Sequence, residues 1–249
     1  MGVQDQKSAI LHRVDGRKRD ELRSLKIDAG FSPYAEGSAE VVFGSTRLLA
    51  VVSVDRQKAP ADKRPGEIRA SISMLPRATA VRLEDASLKG ALELELGALE
   101  QLLIRSLSSS IDADQLNGLV FNLDCSILVS DAGIATAAVS GAWVALYQAL
   151  RWAAFEEMIP GDLDFKRVAA ISGAVLEQGW LLDACAQEAV DSSFTVTFVF
   201  NDEQKLVETR GVHESKAIAV ETYNALVSSA KLEAKKIFAE QERAVLQLG

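Results

Sequence analysis

The chain has 249 residues, of which 48% are hydrophobic and 25% charged, and its 27 basic side chains against 35 acidic ones give a net charge of −8. This composition excludes a disordered chain and leaves room for a sizeable core, in one large domain or two small ones. The acidic balance argues against a protein that coats DNA or lies on an anionic membrane, but not against a local basic groove. Two cysteines, Cys125 and Cys185, exclude a disulfide scaffold and lack the spacing of a zinc site; buried thiols in a reducing compartment are the expectation. Met1 to Ile10 has no apolar core of signal length, and no window approaches the ~18 apolar residues of a membrane span. A soluble, intracellular protein without a membrane partner is therefore expected.

The predicted elements begin with a hairpin, Ala39 to Phe43 and Arg47 to Val54, turned at Gly44 and Ser45. Lys58 to Gly66 reads as a loop, and Glu67 to Met74 as a further strand. Leu92, Leu96, Leu99, Leu103 and Leu107 then share one helix face. Leu119 to Val129 alternates as a half-buried strand, and Ala137 to Ala154 is apolar on most sides, as in a buried helix. A second break falls at Met158 to Asp164. Val168 to Leu176, Trp180 to Leu182, Phe194 to Phe200 and Lys205 to Thr209 are strands. A long helix from about Glu214 to Leu246 closes the chain, with Tyr223, Val227, Ala230, Ala234 and Ile237 on its apolar face. The order is β-β-β-α-β-α followed by β-β-β-β-α, an α+β chain with two similar halves and no linker between them.

With only His12 and His213, a histidine triad or multi-histidine metal site is not expected, and surface or capping roles suit both. No Walker or dinucleotide glycine loop is present; Gly37, Gly44 and Gly66 read as turn residues. Asp183, Glu188 and Asp191 cluster around a strand connection, where they are either solvated loop charges or an acid/base or metal site. Three basic groups stand out: Arg13, Arg17, Lys18, Arg19 and Arg23; Lys63 and Arg64; and Arg69, Arg77 and Arg82. Guanidinium forks match phosphate oxygens, so these arginines either hold phosphates or pair with the abundant acids.

The succession Arg13-Val14-Asp15-Gly16-Arg17, Glu21-Leu22-Arg23, Glu36-Gly37-Ser38-Ala39 and Phe43-Gly44-Ser45-Thr46 resembles the opening of the ribonuclease PH family. Ser73-Met74-Leu75-Pro76-Arg77-Ala78-Thr79 is similar to that family's signature. Ile104-Arg105-Ser106-Leu107, Leu123-Asp124-Cys125, Ser130-Asp131-Ala132-Gly133, Thr136 to Ala142 and Leu181-Leu182-Asp183 follow in the family's order, so the likeness spans about residues 11 to 245.

The resemblance implies two βαβα-type halves of the ribosomal protein S5 domain 2-like kind, as a single unit over residues 13–249 after an N-terminal extension over 1–12. It implies membership of a six-membered ring, homo- or hetero-hexameric as in exosome cores, acting on RNA 3′ ends in the cytoplasm, or in the nucleus for a eukaryotic exosome subunit. The family's reaction is phosphate-dependent release of nucleoside diphosphates, with a divalent metal near two aspartates and arginines holding phosphate and RNA. Here those two aspartates align with Ala189 and Thr195, the phosphate-gripping Thr and Arg with Ile134 and Ala135, and a further phosphate arginine near Glu95. Hard cations need anionic oxygen ligands, which Ala189 and Thr195 do not supply. Arg77 and Arg82, with Arg17 and Arg13, remain as the RNA-contacting candidates. The expectation is a ring subunit with no catalytic residues, metal or cofactor of its own. The alternatives are a divergent active exoribonuclease or tRNA nucleotidyltransferase, using phosphate and magnesium at a site rebuilt from Asp183, Glu188 or Asp191, and a structural homo-oligomer that binds no RNA.

Overall fold

The computed structural model describes residues 13–56, 65–82, 86–213 and 216–247. The first half comprises β1 (Leu25–Ala29), β2 (Gly37–Phe43), β3 (Thr46–Arg56), β4 (Glu67–Met74), α1 (Ala86–Ser108), β5 (Leu119–Val129) and α2 (Ile134–Phe155). The second comprises β6 (Val168–Leu176), β7 (Gly179–Leu182), the single turn α3 (Ala186–Ala189), β8 (Phe194–Asn201), β9 (Leu206–His213) and α4 (Val220–Leu246). The strands form two sheets, β1-β2-β3-β5-β4 and β7-β6-β8-β9. Among the described residues only β4 and β5 pair in parallel; they are joined through α1, as a parallel pair requires a crossover. The α+β class read from the sequence is the one observed.

The hairpin of β2 and β3 closes at Gly44, whose φ of +57° is open to glycine at no steric cost. Alternation along β5 puts Phe121, Leu123, Cys125 and Ile127 inside, and the same period in β8 buries Val196, Phe198 and Phe200. Each large side chain so buried contributes about 1.5–3 kcal/mol. One apolar cluster joins the first sheet to α1 and α2, and a second joins β6, β7 and β8 to α4.

Helix α2 packs on β2 and β3 of the first sheet, on β6 of the second, and on α1 and α4. A helix with neighbours on so many sides cannot afford large residues all round, which accounts for its alanine-rich sequence. Gly141 lies against Val41 and Ala50, and Gly37 of β2 lies against the backbone of Ala145 and Ala149. Gly37 is thus a close-approach residue rather than a turn residue.

Three features differ from the sequence reading. Strand β1 was not expected: with five residues and only Ile27 fully buried, its alternation is too short to stand out. The last helix begins at Val220, because Lys216 to Ala219 stay non-helical; its predicted start at Glu214 lies outside the described residues. His213 ends β9 instead of opening a helix. Most of the predicted Lys58–Gly66 loop, Lys63, Arg64, His12 and the 1–12 extension also lie outside the described residues.

A Cβ at Gly37 would collide with the Ala145 carbonyl, whereas one at Gly90, on the exposed side of α1, meets nothing within 4 Å. Gly37→Ala is therefore expected to destabilise the fold by about 3 kcal/mol, and Gly90→Ala to stabilise it by up to about 1 kcal/mol. Urea denaturation of the two variants checks the pair.

Candidate functional site

A cleft of about 270 Å³ opens between the two halves. Its walls are Leu92, Glu95, Leu96 and Leu99 of α1, the α2 entry Ala132 to Ala135, Ser172 to Ala174 of β6, Thr195 to Thr197 of β8, Arg210 of β9, and Ala184 and Ala189 beside α3. Five positions singled out in the sequence, Glu95, Ile134, Ala135, Ala189 and Thr195, therefore meet in one cavity although they span a hundred residues of chain. Ser172 and Thr197 share a hydrogen bond of 3.2 Å on its floor. Glu95 is exposed at its rim and Arg210 half-buried in its wall.

The α2 entry is held in a set shape. Ala132 and Gly133 are consecutive left-handed residues with φ of 57° and 66°. The Thr46 hydroxyl donates to the Ala132 carbonyl at 2.7 Å and accepts from the Asp131 amide at 2.9 Å. Arg23 donates to the Asp131 carbonyl at 2.6 Å, and its guanidinium lies over the Phe43 ring at 4.8 Å. The Arg23 guanidinium also occupies the space a Cβ at Gly133 would need, which leaves glycine as the residue that fits.

Behind this entry lies a buried ion network. Asp183, 1% exposed, accepts from the Arg23 Nε and Nη2 atoms, the Arg23 amide and Arg17 Nη1. Arg13 binds Glu188 through two bonds of 3.0 and 2.7 Å, and its remaining donors go to the carbonyls of Lys18, Glu21, Leu182 and Asp183. Arg17 bridges Asp15 and Asp183. Burial opposes ionisation of Glu188, but the bonds from Arg13 and the Cys185 amide outweigh it and hold the carboxyl below its ordinary range. Burial likewise opposes the charge on Arg23, and Asp183 more than offsets it, raising the guanidinium pKa.

Arg13 and Arg17, expected among the RNA-contacting residues, are placed inside this network. The Arg13 side chain has no exposed surface, and Arg17 is directed onto Asp15, Asp183 and two backbone carbonyls. Arg77 and Arg82, by contrast, are exposed on the segment between β4 and α1, where Arg77 donates to the Ala80 carbonyl at 2.5 Å. Arg69 pairs with Glu67. Asp183 and Glu188 face arginines, while Asp191 is exposed on a separate depression beside Lys216, so the three carboxylates do not converge. Among the described residues no group of three possible metal ligands occurs. Burial pushes the Cys125 thiol up to about 12, in keeping with an inert core cysteine, while Cys185 is half-buried at the start of α3. Neither the Arg23–Asp183 pair nor Arg210 was identified from sequence; an abundance of acids gives no sign of which one an arginine will meet.

Residues 21–151 match the model of the 3′ exoribonuclease family, domain 1. Ribonuclease PH of Corynebacterium efficiens is 31% identical over 235 residues, covering 94% of this chain and 96% of that protein. The chain belongs to the ribonuclease PH family. An archaeal exosome core subunit shares its fold, with a TM-score of 0.74 at 19% identity over 93% of this chain and 91% of that one. A chain of the Archaeoglobus fulgidus exosome with RNA bound to the active site gives 0.70 at 19% identity, covering 92% of each. The divalent metal that the ribonuclease PH family implies does not fit these residues. Ala189 presents a methyl group, Thr195 a neutral hydroxyl, and Glu95 is the lone carboxylate among the described lining residues.

Removing one partner of a buried, hydrogen-bonded ion pair leaves the other charge uncompensated, so Arg13→Met is expected to cost about 3–5 kcal/mol at neutral pH. The folded Glu188 carboxyl lies below its ordinary 4.5, so its contribution is full above that pH and is lost as pH falls through the depressed value. Glu188→Gln should remove that part of the acid-side loss. Urea midpoints at neutral pH and down the acid limb measure both effects.

Proposed function

We propose that this chain is a ribonuclease PH-type ring subunit that takes part in RNA 3′-end processing or decay without a phosphorolytic centre of its own. The observation that carries this reading is the content of the cleft. Where the family resemblance expects two carboxylates, a hydroxyl and two guanidinium groups, the cavity holds Ala189, Thr195, Ile134, Ala135 and Glu95. Phosphoryl transfer depends almost entirely on positioning and on electrostatic stabilisation of developing charge, and each lost donor costs about 10²–10³ in rate. An alanine and an isoleucine at the helix entry supply neither, and Glu95 repels an attacking phosphate.

Two of the three acids that a rebuilt metal site would use have other work. Asp183 and Glu188 hold arginines, and withdrawing either from its partner would leave a buried guanidinium unpaired. What the reading retains is a surface for RNA. Arg77 and Arg82 are exposed between β4 and α1 and are its RNA-contacting residues, in a ring of like or related subunits. The reading requires no bound metal or phosphate.

Purified chain incubated with single-stranded RNA, phosphate and magnesium or manganese is expected to release no nucleoside diphosphate. Phosphate-dependent release that disappears in Asp191→Asn would overturn the proposal in favour of a divergent enzyme. Arg77→Ala should weaken RNA binding evenly across sequences and reduce the slope of log affinity against log salt by about 0.7. Absence of any RNA binding at low salt would leave a purely structural oligomer.

A further inference from the structure

Among the described residues the Arg210 side chain has no hydrogen-bond or ion-pair partner, although it is half-buried in the cleft wall of an acidic protein. Arg13, Arg17 and Arg23 are each bound to buried carboxylates instead. A part-buried charge without a protein acceptor is costly unless water or a ligand supplies one. The strand register sets a second donor beside it. Ser172 on β6 pairs with Thr197 on β8, and Thr197 with Arg210 on β9, so the three side chains form a row across one face of the sheet. All three line the cleft. The Ser172 and Thr197 hydroxyls share one hydrogen bond and carry two hydrogens, which leaves one hydrogen to donate. The row thus offers a guanidinium fork and a hydroxyl to an anionic head.

Much of the remaining wall is apolar. Leu92 and Leu96 lie four residues apart on one face of α1, and Ile134 and Ala135 stand at the α2 entry. These four side chains are only partly buried, so a ligand in the cleft would cover apolar surface that the fold leaves open.

We propose that the cleft binds a small aliphatic monocarboxylate, with its carboxylate on Arg210 and the Thr197 hydroxyl and its chain against Leu92, Leu96 and Ile134. A planar fork gives a carboxylate two parallel hydrogen bonds. One guanidinium balances one charge, whereas a phosphate dianion carries a second charge towards Glu95 at the rim. The volume of about 270 Å³ lies just under the ~300 Å³ at which small-molecule pockets begin, which limits the ligand to a short chain. The proposal rests on the lining of the cleft and not on RNA binding or ring membership.

Sodium hexanoate is the probe, with hexanol supplying the chain alone and inorganic phosphate the charge alone. Titrated into wild-type chain with isotope-labelled Leu and Ile methyl groups, hexanoate is expected to shift the resonances of Leu92, Leu96 and Ile134 saturably, with a Kd of about 1 mM or tighter. Hexanol and phosphate should each bind at least tenfold more weakly. Arg210→Gln should weaken hexanoate at least tenfold, to the level of hexanol, and leave hexanol binding unchanged. Arg210→Lys, which keeps the charge but not the fork, should fall between. No saturable shift at about ten times that concentration, hexanol or phosphate binding as tightly as hexanoate, or hexanoate affinity unchanged in Arg210→Gln would overturn the proposal. If Arg210→Gln loses its far-UV circular dichroism, the comparison of the three probes on wild-type chain decides. The phosphorolysis and RNA-binding assays, run without hexanoate, report separately on the proposed function.

Discussion

Asp183 has a left-handed backbone with φ of +50° just after β7 and is almost wholly buried. A carboxylate there would be prohibitively unstable without compensating charge, and Arg23 and Arg17 supply it. Much else depends on this contact. Arg23 reaches past Asp183 to Asp131 and so fixes the entry of α2 from the first half, while Asp183 belongs to the second. Its neighbour Arg13 ties Glu188 of α3 to the N-terminal segment. The two halves are joined by polar contacts at the same place where their strands and helices enclose the cleft. Paired ions contribute little net stability compared with an apolar core, but their directional bonds define one arrangement of the segments that carry them.

That arrangement does not depend on the side chains that face the cleft. The α2 entry retains its two left-handed residues, its clamp to Thr46 and its support from Arg23, yet its side chains are Ile134 and Ala135. Residues that shape a backbone and residues that act from it are separable, because a buried hydrogen bond is costly to lose whatever happens in the adjacent cavity. The cleft can therefore keep its form through the stability of its frame, whichever side chains line it. The same separation explains why four arginines expected to act together are divided here. Arg13 and Arg17 belong to the frame, and Arg77 and Arg82 to the surface.

Sheet edges show a related economy of parts. The carboxylates of Glu100 and Glu240 accept from strand amides that no neighbouring strand reaches, so part of the chain's acidity serves as edge cover. Helices α1 and α4 thereby pack and cap at once.

Periodicity alone gave the strands Glu67 to Met74 and Val168 to Leu176 to the residue and the buried character of α2, since burial on a pleated or helical surface repeats with a fixed period. It failed at β1, too short to show a period, and at Gly37, where the constraint is a helix passing close by. Motif order placed the chain in its family and marked Glu95, Ile134, Ala135, Ala189 and Thr195 as altered. Their convergence in one cavity was a matter for the tertiary structure, because positions so far apart in the chain meet only when the sheets and helices pack. The partners of the arginines were decided there too. Residue types in a sequence specify that a guanidinium needs an acceptor, but distance and burial choose between Glu188, Asp183 and solvent.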